Sequence, residues 1–142
     1  MAFKVFLDAN ILLDFTLKRD GYDNSKRIIE KVVSGDISAF MSPSIVHIVG
    51  YWLTKAYGGS KAKELLLALL ANIHVLEIDH EITILALHSK INDIEDALQY
   101  YTAIHHKVDV FISEDKQLKK EATALLAIST PLEFLQTMFE DE

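Results

Sequence analysis

Three acidic stretches hold the residue types from which a phosphodiester-cleaving site is made. Asp8 closes the apolar run "FKVFLD", and Asn10 follows two residues later. A strand that ends in aspartate delivers its carboxylate to the edge of a sheet. If the backbone stays extended to Asn10, both side chains share a face. The second stretch, "NDIEDALQYYTA", holds Asp93, Glu95 and Asp96. On a helix turning about 100° per residue, Asp93 and Asp96 lie roughly 60° apart. Glu95 points away from them, and Ile94, Ala97, Leu98 and Tyr101 form the apolar stripe. The third stretch, "DVFISEDKQL", repeats the first pattern: a strand ends at Ser113 and Asp115 follows. Each acid has a plainer reading, as a helix cap or a carboxylate favoured by a helix dipole. Three such positions in one chain make that reading weaker jointly than singly. Close carboxylates repel and raise one another's pKa unless a cation sits between them. All-oxygen clusters suit Mg²⁺ or Mn²⁺, which keep several waters and leave room for a phosphate oxygen and an attacking water. The reaction class is metal-assisted phosphodiester hydrolysis.

Elements able to position these acids alternate along the chain. Apolar runs at 3–8, 37–42, 73–78, 109–113 and 127–130 read as strands. The segment "NSKRIIEKVVSG" reads as a helix capped by Asn24 or Ser25 and stopped by Gly35. Pro43 opens a helix that Gly58–Gly59 ends, and Ser60 caps the next. Asp79 caps a helix running to about Lys90, and Asn92 or Asp93 starts another to about His106. Residues 114–126 read as helical, and Pro131 opens a terminal helix. Strands alternating with helices imply βαβ units and a mainly parallel sheet. Ligands of such sheets bind beyond the carboxyl ends of the strands, where the first and third acidic stretches fall; the second opens a helix.

The chain of 142 residues is half apolar, enough for one domain with a sizeable core. It has no cysteine, which excludes disulfides and thiolate metal sites. The longest apolar run, "LLLALLA", is far shorter than the roughly 20 residues of a membrane span. No basic, apolar and small-residue leader pattern precedes "FKVFLD", so a soluble, cytoplasmic protein is expected. A net charge of −7 argues against a generic basic nucleic-acid-binding module. It is compatible with a nuclease whose carboxylates hold divalent ions, because the ions carry the local positive charge.

The motifs "DANILLD", "DIEDALQYYTA" and "FISED", with the closing "TPLEFL", resemble in order and spacing those of PIN domains. The resemblance covers nearly the whole chain and is nearest to the single-domain bacterial type, the VapC toxins of toxin–antitoxin pairs. It implies a three-layer α/β/α domain, residues 1–142, with a central parallel sheet. It implies an Mg²⁺- or Mn²⁺-dependent ribonuclease in which Asp8, Asp96 and Asp115 bind metal, with Asp93 as a helper. Asn10 accompanies Asp8, and Ser113 supports it by a hydrogen bond. The pattern departs at one place. A glutamate is expected early in the helix after the second strand, and "SPSIVHIVGYWLTK" offers His47 instead. Histidine brings no negative charge, and a histidine between Val46 and Ile48 is more often a packed residue than a ligand.

The resemblance also implies an RNA substrate, an antitoxin partner and a homodimer, with Tyr51 and Trp52 expected in the core or a dimer interface. Lys18, Arg19, Lys55 and Lys116 are candidates for RNA phosphate contacts. Two alternatives stand beside the nuclease. One is an aspartate-based phosphatase or receiver-type domain. The phosphatase needs an acid where Asn10 stands, and the receiver needs a phospho-accepting aspartate on a central strand. The other is a catalytically weak PIN-like module kept for RNA or protein binding, for which the missing glutamate speaks.

Overall fold

Strand β1 (Phe3–Leu7) is the axis of the molecule, and Val5, Phe6 and Leu7 are wholly buried in it. The structure is a computed structural model that describes residues 3–140. β1 pairs with β2 (Ile37–Met41) on one side and β4 (Val110–Ile112) on the other. β3 (Ile73–Val75) and β5 (Ile128–Ser129) complete the sheet, in the order β3-β2-β1-β4-β5 with every pairing parallel. Burial on both faces explains why β1 and β4 are continuous apolar runs rather than alternating ones.

Connections between parallel strands are right-handed. The chain moves one way from β1 to β3, and the other way from β3 through β4 to β5. Its helices therefore fall on opposite faces. The first face carries α1 (Ala9–Thr16), α2 (Tyr22–Val33), α3 (Pro43–Tyr57) and α4 (Gly59–Leu70), which pack α1 on α2, α1 on α3 and α3 on α4. α8 (Pro131–Phe139) joins them against α2. The second face carries α5 (His80–His88), α6 (Ile94–His105) and α7 (Lys116–Glu121), with α5 packed on α6. The result is the three-layer α/β/α arrangement, with the direction of travel reversing between β1 and β4.

Several local expectations shift. α2 starts at Tyr22 with Gly21 as its cap, before Asn24, and Ser25 lies fully buried in its first turn. Gly58, at φ +87°, is the cap of α4, and Ser60 is not. α5 ends at His88, short of Lys90. α7 stops at Glu121, because Tyr100 takes up the following loop: its hydroxyl donates to the Leu126 carbonyl (2.5 Å) and accepts from the Thr123 amide (2.9 Å). Tyr51 and Trp52 are about half exposed, so they are not core residues. No helix among the described residues is long and apolar enough to cross a membrane.

Candidate active site

The pleat of three strands sets the floor of the site. Phe6 is level with Phe40 on β2 and Phe111 on β4. Side chains alternate across a sheet, so residues two positions further on share their face. Asp8 thus stands level with Ser42 on one side and Ser113 on the other. The face is the α6 face, because Phe6 stacks on Phe111 (5.0 Å between centroids) and Phe111 meets Tyr100 of α6 (5.9 Å).

The same packing brings the second acidic stretch over the first. Tyr100 lies over Phe111, and Gln99 reaches Ser42 by a hydrogen bond. Asp96 is one turn N-terminal to both, on the same side of α6. It is thereby set over the end of β1, where Asp8 stands. Of the apolar stripe expected on α6, Ile94 fails at 62% exposed, Ala97 is buried, Leu98 and Tyr101 are partly buried against the core, and Gln99, Tyr100, Thr102 and Ala103 are buried beside them.

The cap reading and the site reading of the acids hold together. α1 begins at Ala9, not after an extended stretch, and Asp8 Oδ1 accepts from the Ala9 amide (2.8 Å). Asp8 Oδ2 accepts from the Ser113 hydroxyl (2.7 Å), the support expected of that residue. Ser113 in turn accepts from the Asp115 amide (3.0 Å). Asp93 caps α6 with one oxygen, on the Asp96 amide (2.9 Å). Asp115 caps α7 with one oxygen, on the amides of Gln117 and Leu118. The positive ends of three helix dipoles, those of α1, α6 and α7, therefore meet at one pocket.

Charge shows the convergence most directly. Burial pushes the Asp8 carboxyl above its ordinary value, and Asp115 and Asp93 push it further against its two hydrogen bonds. Asp96 is pushed up to about 7, first by desolvation and then by Asp93, Asp115, Asp8 and Glu95. Glu95, which the helical wheel turned away, is raised by desolvation, Asp93 and Asp8, and eased by His47 of α3. Five carboxylates and one exposed imidazole thus share a field at the carboxyl edge. Asn10 is turned to other partners: it is the second residue of α1, and its side-chain carbonyl accepts from Arg19 Nη2 (3.1 Å), while Arg19 Nε donates to Asp14 (2.8 Å). The sequence reading missed Glu95, Ser42 and Gln99. The signal for Gln99 was a polar residue one turn after Asp96 in an otherwise apolar stretch of helix.

The donors fit a hard divalent cation in kind: all are oxygens, and desolvation followed by like charge raises Asp8, Glu95 and Asp96. No three His, Asp or Glu side chains among the described residues form a ready-made cage.

A cluster of acids at the reversal point of a parallel sheet defines the class: an α/β protein with a candidate metal centre at its strand ends. The chain belongs to the PIN domain family, whose description matches residues 4–117. No curated protein sequence gives a significant match. Among solved structures, VapBC2 from Rickettsia felis bound to a promoter DNA fragment is similar at a TM-score of 0.67 and 15% identity, over 89% of this chain and 98% of that one. A toxin–antitoxin complex from Klebsiella pneumoniae matches at 0.65 and 19%, over 89% and 97%. Mycobacterium tuberculosis VapC20, a toxin that cleaves the sarcin–ricin loop, matches at 0.66 and 11%, over 86% and 98%. At these identities the likeness is one of fold.

Proposed function

We propose that this protein is an Mg²⁺- or Mn²⁺-dependent endoribonuclease, the toxin of a toxin–antitoxin pair, acting in the cytoplasm. The observation that carries the reading is the convergence of Asp8, Asp96, Asp93 and Asp115 on one pocket, with Asp8 and Asp96 most strongly burdened by desolvation and like charge. Family membership and neighbours that are toxin–antitoxin proteins support it. Asp8 and Asp96 are the ligands that would hold an ion, with Asp93 and Asp115 alongside. A bound ion would polarise the scissile phosphate and lower the pKa of a water. Ser113 fixes one Asp8 oxygen, and the helix caps fix one oxygen each of Asp93 and Asp115. The carboxylates are thus oriented before any substrate arrives, which lowers the cost of assembling the site. An antitoxin and a second copy of the chain are the proposed protein partners. The half-exposed Tyr51–Trp52 pair, with Lys55 over both rings, is a candidate contact surface.

The experiment is cleavage of RNA with Mg²⁺ or Mn²⁺ by the wild type and Asp8→Asn. Cleavage is expected to vanish in the variant and in excess chelator; undiminished cleavage in either sinks the reading. One observation favours the binding-module alternative. His47 stands where the family pattern has a glutamate, and the donors form no closed cage. Calorimetry showing no Mn²⁺ affinity would decide for it. The phosphatase alternative loses its footing because Asn10 is engaged with Arg19.

A further inference from the structure

The carboxyl edge holds one buried polar group that no helix cap or metal role accounts for. Gln99 is 2% exposed, in the middle of α6. Its side-chain oxygen accepts from the Ser42 hydroxyl, which itself accepts from the Ile45 amide at the start of α3. Its side-chain nitrogen is buried and has no hydrogen-bond partner. A donor buried without a partner costs about 1–3 kcal/mol. Such a group persists where an acceptor or a water completes it.

The position of that nitrogen is constrained from two sides. Ser42, which grips the other end of the amide, is level with Asp8 one strand away. Helical side chains lean toward the helix N-terminus, so Gln99 leans over the turn that contains Asp96. No described residue donates a hydrogen bond to the Asp96 carboxylate, and none appears among the causes acting on it. A buried donor and a half-buried acceptor, neither with a partner among the described residues, therefore sit one turn apart on the same side of α6.

We propose that Gln99 is a positioning residue for the aspartate cluster: clamped by Ser42, its amide nitrogen donates to one ordered water that in turn donates to the Asp96 carboxylate. The inference rests on reading Asp96 as a metal ligand. Through that water the amide orients one Asp96 oxygen and leaves the other for an ion. Ser42 does for Asp96, through Gln99, what Ser113 does directly for Asp8. Both level neighbours of Asp8 thus serve to aim a carboxylate.

Two measurements test it. The first needs no metal: the side-chain amide protons of Gln99 are followed by ¹⁵N NMR in the wild type and in Asp96→Ala. Slowed solvent exchange in the wild type, with a clear change in shift and faster exchange in Asp96→Ala, is expected. Resonances that ignore Asp96→Ala overturn the proposal. The second is Mn²⁺ titration of the wild type, Gln99→Met, Asp96→Asn and the double variant. Methionine keeps the length and removes the donor. Gln99→Met is expected to weaken Mn²⁺ binding about tenfold, the usual scale for a residue behind a ligand. It is expected to add nothing further in Asp96→Asn. An equal loss in both backgrounds marks Gln99 as merely structural and overturns the proposal. A wild type that binds no Mn²⁺ overturns the metal reading and with it Gln99's part in metal binding. The amide resonances then decide separately whether the Gln99–Asp96 link exists.

Discussion

Two helix starts in this molecule have the same local design and opposite fates. α6 has Asp93 as its cap and Asp96 as its third residue; α8 has Thr130 as its cap and Glu133 as its third residue. Both thus have an acid at the same place in the first turn, where the dipole favours negative charge. Glu133 meets Lys119 at 2.5 Å and closes a reciprocal capping box with Thr130. Its carboxyl is held down at about 2, first by Lys119 and then by the Thr130 amide. Asp96 meets only desolvation and four other carboxylates, and is pushed up to about 7. A carboxylate whose task is to hold a helix in place finds a cation or donors. A carboxylate left uncompensated among others is a candidate for a functional site.

The sharpest break in that comparison is substitution of the two acids. Asp96→Asn is expected to cut metal-dependent RNA cleavage by more than the roughly 10–100-fold typical of residues behind the ligands. The same variant should raise the melting temperature of the metal-free protein, because it removes repulsion from a crowded site. A calorimetric scan without metal that shows no rise would count against the strained-pocket picture. Glu133→Gln is expected to leave cleavage at the wild-type rate.

The next effect concerns His47. His47→Glu adds a carboxylate near Glu95, which His47 now eases. If the pocket is short of one acid, Mn²⁺ titration will show tighter binding by several-fold. Weaker binding would mean that the existing carboxylates already saturate the ion.

A smaller effect is the pH dependence of stability. Asp96 is raised from its ordinary 3.8 to about 7. Between those values the folded, metal-free protein keeps a proton that the unfolded chain has lost. Stability is therefore expected to fall as pH rises through that window. Denaturant melts at successive pH values check it, and Mn²⁺ or Asp96→Asn should flatten the slope. Glu133 has the opposite sign. Its contribution is present above its ordinary 4.5 and is lost as pH falls toward about 2. Because the pair is largely exposed, Glu133→Gln is expected to cost no more than about 1 kcal/mol.

The chain's own pattern determined the alternation of strands and helices, the parallel sheet and the placing of Asp8 and Asp115 at its carboxyl edge. These follow from periodicity and strand-end chemistry, which act over a few residues. Asn10 shows where local reading stops. An extended backbone and a helix beginning at Ala9 put it on different sides, and the cap bond of Asp8 selects the helix. Glu95 shows the same limit, since the angle from a wheel says nothing of which strand ends lie beneath it. What brings Asp96 over Asp8, and Gln99 over Ser42, is the docking of Tyr100 on Phe111. The docking also carries Gln99 to Ser42, 57 positions away in the chain. Only the packing of α6 across three registered strands could decide it, because register and helix crossing are set by burial over the whole sheet.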